Sequence, residues 1–172
     1  SRWSEMVPCT ARPEVEAGGA GRFCHEWSRG MHPIHPMVVH FPIALLLASL
    51  LFDLVALRWR GEEFRATSLS LLALGVLAAL VALLTGHLAE EAVEHSGTIP
   101  KQAIETHEEL AFVVFWLFAG LLGVKMLSYW GWMRERSLLV LFLGVGGSVL
   151  LLVASYYGGE LVYRYGAGVL PR

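Results

Sequence analysis

Residues 35–47 read HPMVVHFPIALLL and place two histidines and two prolines at the start of a long apolar run. This run extends over 36–57, and further apolar stretches follow at about 66–90, 106–129 and 137–158. A helix rises about 1.5 Å per residue, so each stretch is long enough to cross a hydrocarbon core of about 30 Å. Because lipid cannot satisfy exposed backbone groups, the stretches are predicted to be helical. The sequence therefore predicts an all-α membrane protein with four spans.

The composition is typical of a membrane protein rather than of a soluble domain. Of the 172 residues, 55% are hydrophobic and 16% are charged, and the mean hydropathy is +0.55. Soluble domains carry about 25% charged residues. The formal net charge of −2 argues against a nucleic-acid-binding protein. Catalytic-triad, P-loop and Rossmann glycine motifs are missing from the sequence, which argues against a conventional soluble enzyme.

The links between the apolar stretches predict topology and orientation. Short links at 58–65 and 130–136 join the first pair and the last pair, which predicts an antiparallel up-down-up-down four-helix bundle. The middle link, at 90–105, is acidic. The short links carry Arg58, Arg60, Arg65, Arg134 and Arg136. The positive-inside rule therefore predicts that the short links are cytoplasmic and that both termini and the middle link face outward.

For three charged residues within or beside the apolar stretches, the sequence predicts the partner or the solvent exposure of the side chain. Lys125 is expected to extend its ammonium group to the cytoplasmic interface. Asp53 is expected to pair with Arg58 or another cytoplasmic arginine, and a proton-path role is the alternative. Glu160 is expected to be hydrated on the opposite side, or to accept a hydrogen bond from a histidine N–H.

The first thirty residues differ from the rest of the chain. Residues 1–30 lack apolar periodicity and an apolar signal-peptide core, so we predict a poorly ordered tail before a four-span domain at 31–172. Cys9 and Cys24 lie in this tail and are too few for a disulfide framework. They could pair with each other if the tail lies outside the cell.

All the histidines are predicted to fall on the outer side of the membrane, at positions 25, 32, 35, 40, 87, 95 and 107. His40, His87 and His107 come from three helices and share a similar depth, with His35 slightly above. His40, Ala44 and Ala48 recur every four residues, which predicts that His40 points into the bundle. Thr106 to Glu109 reads as a capping box, which places His107 at the start of a helix.

Small residues predict the faces along which the helices pack closely. In the second stretch these are Gly75, Ala79, Ala82 and Gly86. In the fourth stretch they are Gly144, Gly147, Ser148 and Ser155. Small side chains allow helix backbones to approach in lipid, where apolarity alone cannot drive association.

Three interpretations of the histidine cluster are open. The first is haem b, held by two neutral imidazoles drawn from His35, His40, His87 and His107. The second is a non-haem metal held by His40, His87 and His107 together with carboxylates from Glu90, Glu91 and Glu108. The third is interfacial hydrogen bonding and helix capping without any metal.

Four strings in this sequence resemble a known family. These are HPMVVHFPIALL, LLTGHLAEE, THEELA and YYGGELVYRYGAGV, and together they look like the domain-of-unknown-function 2231 family of four-span bacterial membrane proteins. The resemblance covers about residues 31–170. It implies a four-helix domain of the bacterial inner membrane, so that both termini and the histidine cluster are expected on the periplasmic side. Fusions of some relatives to c-type cytochrome modules imply a place near respiratory electron transfer. The positions that match the family's histidines are His35, His40, His87 and His107.

These observations favour one function and leave two alternatives. The leading hypothesis is a small b-type cytochrome that passes electrons between the quinol pool and a periplasmic carrier such as a c-type cytochrome, as an electron-transfer subunit. The first alternative is a metal-binding or metal-transport protein of the membrane. The second is a non-catalytic subunit that anchors a larger complex or oligomer.

Overall fold

The structure, a computed structural model, describes residues 34–59, 61–94, 100–132 and 137–166. Span 1 consists of α1 (Ile34–Val38) and α2 (His40–Trp59), span 2 lies in α3 (Glu62–Glu94), span 3 in α4 (Lys101–Tyr129) and span 4 in α5 (Ser137–Tyr163). Each span is long and apolar enough to cross a membrane. The predicted all-α four-helix membrane bundle is confirmed. The predicted tail at 1–30, with both cysteines, lies outside the described residues.

The spans form a ring in chain order. Span 1 packs most extensively on span 2, and span 3 packs most extensively on span 4. The ring is closed by packing of span 2 on span 3 and of span 1 on span 4. Spans 1 and 3 therefore face each other diagonally across the interior, and side chains that project from them towards the centre can meet.

One face of span 1 and one face of span 3 form the centre of the bundle. The buried residues of α2 are Pro42, Leu46, Ser49 and Ala56, and those of α4 are Val114, Phe118, Leu121 and Lys125. Steps of three, four and seven residues separate them, which is the heptad spacing of helices that pack at a shallow angle. Leu46 and Phe118 are among the largest fully buried side chains.

The rotation of span 1 contradicts the prediction for His40. The side chains of His40 and Ala44 are exposed, because the buried face of this helix is the one that carries Pro42 and Leu46. His40 Nδ1 lies 2.8 Å from the carbonyl oxygen of Pro36, one turn earlier in its own helix. The prediction that His40 points into the bundle is therefore wrong. Pro42 has no N–H, which accounts for the break in the helix at Val39.

Glycines of spans 2 and 4 receive large side chains from spans 1 and 3. A Cβ atom added to Gly75 would lie 2.7 Å from Leu46 Cδ2. A Cβ atom added to Gly147 would lie 2.7 Å from Leu117 Cδ2 and 3.1 Å from Phe118 Cζ. These contacts confirm the predicted packing faces at both glycines.

Two adjacent glycines of span 4 test this packing. We expect Gly147→Ala to lower the free energy of unfolding by about 1–3 kcal/mol, because the added methyl group overlaps Leu117 and Phe118. Gly146→Ala is the matched control, since a Cβ atom there meets nothing within 4 Å. It should leave stability unchanged or raise it by up to about 1 kcal/mol through helix propensity. Reversible unfolding in mixed detergent micelles measures both, and equal stability of the two variants would contradict the packing.

Candidate functional site

His35 and His107 both lie, partly buried, at one end of the bundle, which we call the histidine end. His35 lies in the first turn of span 1 and His107 in the second turn of span 3. The two rings are partly buried and lie close enough for their charges to interact. We call these two residues the histidine pair.

A backbone carbonyl group of span 4 fixes the ring of His107. Its Nδ1 lies 3.0 Å from the carbonyl oxygen of Ala154. A carbonyl oxygen can only accept, so Nδ1 must carry the hydrogen. The neutral ring then has its lone pair on Nε2, which is the nitrogen available to a metal.

His35 is fixed in the same way by span 2. Its Nδ1 lies 3.2 Å from Thr85 Oγ1, and the backbone of Ala82 is within hydrogen-bonding reach of the ring. The Thr85 hydroxyl is 3.0 Å from the carbonyl oxygens of both Val81 and Ala82, so it donates its own hydrogen to the backbone. Thr85 Oγ1 therefore accepts from His35 Nδ1, and the lone pair of this ring also lies on Nε2.

A glycine beside each ring makes these approaches possible. A Cβ atom on Gly86 would lie 3.0 Å from His35 Cε1, and one on Gly158 would lie 2.8 Å from His107 Cε1. Side chains in a helix lean back over the preceding turn, so a side chain at either position would cover the carbonyl group four residues earlier. Glycine leaves the carbonyl groups of Ala82 and Ala154 accessible to an imidazole from another span.

The Nε2 atoms of the histidine pair are available for a ligand. Among the described residues, neither Nε2 has a hydrogen-bond partner, since both rings are held through Nδ1. The two imidazoles come from diagonal helices at the same end of the bundle, and each has a nitrogen lone pair on Nε2. Two lone pairs presented in this way can coordinate one metal ion from two sides.

The structure places the other predicted site residues elsewhere. His87 is largely exposed, at 68% of its side chain, and its Nδ1 lies 3.9 Å from Glu108 Oε1. His40 lies on the outer face of span 1. The side chains of Glu90 and Glu91 lie outside the described part of the chain, as do His25, His32 and His95 entirely.

These placements leave the non-haem metal site without a complete ligand set. Among the described side chains, no group of three or more histidines, cysteines, aspartates or glutamates could hold a metal ion. The site that combines His40, His87 and His107 with glutamates stays a prediction.

The predicted capping box is wrong. Span 3 begins at Lys101, so Thr106 lies inside the helix, where its hydroxyl donates to the carbonyl oxygen of Gln102 at 2.7 Å. His107 therefore lies within the second turn and not at the start of the helix.

A second polar cluster lies inside the bundle at the opposite end. Lys125 Nζ is 2.6 Å from Asp53 Oδ1 and 2.7 Å from Ser68 Oγ, and Ser68 Oγ is also 2.6 Å from Asp53 Oδ1. Ser49 joins the cluster through Ser68, with their hydroxyl oxygens 3.2 Å apart. We call these four residues the ion-pair cluster. Asp53 lies on the same helical face as His35, about 27 Å along the helix.

The ion-pair cluster corrects two predictions. Lys125 does not extend to the interface, because its side chain is only 5% exposed. Asp53 pairs with Lys125 across the diagonal and not with Arg58. A charge inside a span is stabilised when an opposite charge and hydroxyl groups surround it, and here the spans supply both.

A comparison with protein families shows to which family the chain belongs. The family model described as "Predicted membrane protein (DUF2231)" matches residues 31–171. The chain belongs to this family. No curated protein and no solved structure matches it. The family description supports a membrane location for this DUF2231 protein and assigns no chemistry to it.

Glu160 of this DUF2231 protein has a partner in its own helix. Its carboxylate accepts a hydrogen bond from the Arg164 guanidinium one turn later, at the surface of the bundle. Among the residues that the structure describes, the alternative in which Glu160 bonds to a histidine is not found. The guanidinium lies outside span 4, and the carboxylate beside it raises the pKa of Arg164.

Removal of one member of the ion-pair cluster should be strongly destabilising. We expect Lys125→Met to lower the free energy of unfolding by about 3–5 kcal/mol, because it leaves the Asp53 carboxylate inside the bundle without a counter-charge. Asp53→Ala should act in the same direction by stranding Lys125. The control is Arg164→Ala, which breaks an exposed pair and should leave stability unchanged. Unfolding in micelles measures the free energy of unfolding of the three variants. A Lys125→Met protein as stable as Arg164→Ala would contradict a buried ion pair.

Proposed function

We propose that this DUF2231 protein is a small b-type haem protein of the membrane, with His35 and His107 as the axial ligands, and that it acts in electron transfer. The observation that supports this proposal is the histidine pair itself. Two imidazoles from diagonal spans are each anchored through Nδ1 and each leave Nε2 available. Of the four histidines that the sequence singles out, these two have the partners and the burial expected of axial ligands.

The residues around the histidine pair fit a haem. Metal-binding histidines characteristically donate their second ring N–H to a carbonyl group or carboxylate, which orients the ring. Ala154 supplies such a carbonyl group for His107, while Thr85 and the backbone of Ala82 hold His35. Apolar residues follow one heptad deeper in spans 1 and 3, where Pro42 and Val114 are buried. An apolar wall of this kind is what a flat macrocycle requires.

The ligand set indicates the kind of chemistry. A bound haem would supply one-electron oxidation and reduction. His35 and His107 would each supply one imidazole nitrogen to the iron of that haem. This favours electron transfer over the binding or activation of small molecules, which needs an open position.

The loop charges support the proposed orientation. Arg58 and Arg65 lie at the end of the bundle that carries the ion-pair cluster, and in the bacterial inner membrane that we propose, the positive-inside rule favours a cytoplasmic position for that end. The histidine end then lies towards the periplasm. A one-electron carrier at that depth is suited to exchange electrons with the quinol pool in the lipid and with a periplasmic carrier such as a c-type cytochrome.

Spectra of purified variants test the proposal. After expression with ample haem, the wild-type protein should show a Soret band and the reduced-minus-oxidised bands of a low-spin b-type haem. His35→Ala and His107→Ala should each lose this low-spin spectrum, because each removes one axial nitrogen. His40→Ala and His87→Ala are matched controls and should retain it, since their rings lie on exposed faces.

Two outcomes would contradict the proposal. One is a wild-type protein that carries no haem under these conditions. The other is loss of the spectrum in His40→Ala or His87→Ala together with its retention in His35→Ala. Zinc or copper in the wild-type protein, without iron, would favour the metal-binding alternative.

A further inference from the structure

The two anchored histidines repeat the same arrangement at the same spacing. His107 bonds to the carbonyl group of Ala154, 47 residues later, and its ring edge contacts Gly158. His35 reaches the backbone of Ala82, also 47 residues later, and its ring edge contacts Gly86. His35, Ala82 and Gly86 each lie 72 positions before their counterparts in the His107 set.

The same offset relates contacts deeper in the bundle. Leu46 packs against Gly75, and Phe118 packs against Gly147, with each residue of the first contact again 72 positions before its counterpart. Both large side chains are almost fully buried. The offset therefore holds for the histidine contacts and for an independent packing contact in the core.

The ion-pair cluster obeys the offset as well. Asp53 and Lys125 are 72 positions apart, so the two charges that meet across the diagonal occupy equivalent places in the two halves. Their serine partner differs, because the counterpart of Ser68 is Val140, and both of these are buried. The two hairpins therefore share these packing positions, but at this end one hairpin supplies a negative charge and the other a positive charge.

The ring of spans accounts for these coincidences. If span 1 is exchanged with span 3 and span 2 with span 4, the order of packing around the ring is unchanged. The span 1–span 2 contact then corresponds to the span 3–span 4 contact, and the span 2–span 3 contact to the span 4–span 1 contact. A two-fold axis along the centre of the bundle performs this exchange. Equivalent residues on the inner faces come together near such an axis. Asp53 and Lys125 are in contact there at one end, and His35 and His107 are near enough for their charges to interact at the other.

We propose that this protein is a fused dimer of two helical hairpins, and that its ligand site consists of two equivalent half-sites on the axis between them. Each half-site is a histidine, the backbone of an alanine 47 residues later and the glycine one turn beyond that alanine. The histidine gives one imidazole, the backbone of the alanine lies within hydrogen-bonding reach of it, and the glycine admits it. Thr85 is an additional partner of the ring in the first half-site. Gly86 and Gly158 are positioning residues with the same role.

The two-fold arrangement narrows the class of ligand, and this step rests on the proposed function. A ligand on the axis receives one imidazole from each of two opposite sides. This suits a metal at the centre of a flat macrocycle, which offers two opposite axial positions. It does not suit a tetrahedral ion that takes three histidines from one side.

The first arm of the test compares equivalent glycines in the full-length protein. Gly86→Val and Gly158→Val should lower haem occupancy per chain by similar factors, at least about threefold, because each side chain displaces one imidazole. Both should also lower the melting midpoint. Gly159→Val is the matched control, since nothing lies within 4 Å of a Cβ atom there, and it should retain wild-type occupancy. Loss of haem in only one of the two glycine variants, or in neither, would overturn the equivalence of the half-sites.

The second arm does not depend on any ligand. Asp53→Lys and Lys125→Asp each place two like charges at the axis and should each lower the melting midpoint by about 10 °C. The double variant Asp53→Lys/Lys125→Asp exchanges the charges between equivalent positions and should recover at least half of that loss. A double variant no more stable than the single variants would overturn the two-fold relation.

The two arms separate failure of the inference from failure of the proposed function. A wild-type protein without haem would contradict the proposed function, and the charge exchange would still decide whether the two hairpins are equivalent. A haem-loaded protein in which the charge exchange fails would retain the proposed function and lose the fused-dimer inference. Recovery in the charge exchange together with equal glycine effects supports both.

Discussion

The site depends on the access of an imidazole N–H to a backbone carbonyl group that already belongs to a helix. In a span, each carbonyl oxygen accepts a hydrogen bond within the helix and keeps a second lone pair. A side chain four residues later normally covers that lone pair. Where Gly158 follows Ala154, the oxygen remains accessible and His107 binds to it from span 3. The ring orientation, the position of its hydrogen and the direction of Nε2 all follow from this one contact.

The opposite ends of the bundle use the same geometry for different purposes. At the histidine end the diagonal helices present two neutral rings, and at the other end they present Asp53 and Lys125. The ion pair is buried and hydrogen-bonded to Ser68, so it stabilises the closed ring and distinguishes one hairpin from the other. The histidine pair leaves its Nε2 lone pairs available. A membrane bundle of this size can therefore hold a polar group at each end while its centre stays apolar.

The sequence was sufficient for the number of spans, the bundle and the packing faces, because length, apolarity and small residues determine these directly. It was insufficient for the rotation of span 1. His40, Ala44 and Ala48 suggested one inward face, whereas the structure buries the face with Pro42. A heptad pattern extended back from Ser49 through Pro42 reaches His35, and this signal could have identified the inward histidine.

The sequence also left the placement of charges open. Lys125 lies close enough to the end of its span for its side chain to reach the interface, so apolarity and length could not show that it turns inward. That outcome depends on Asp53 from the diagonal helix, which is a tertiary partner. The offset of 72 positions was available as a signal in His35 and His107, and in the glycines that face them. Few residues are identical between positions 72 apart, so the offset is recognised only when the contacts of these residues are compared.

The central claim is that two anchored imidazoles from spans 1 and 3 share one ligand. Electron paramagnetic resonance of the oxidised, purified protein, combined with chemical quantitation of haem, tests it most directly. The account predicts one haem per chain with a low-spin ferric signal typical of two imidazole ligands. A high-spin signal, which would indicate a single axial ligand, or two haems per chain would contradict it.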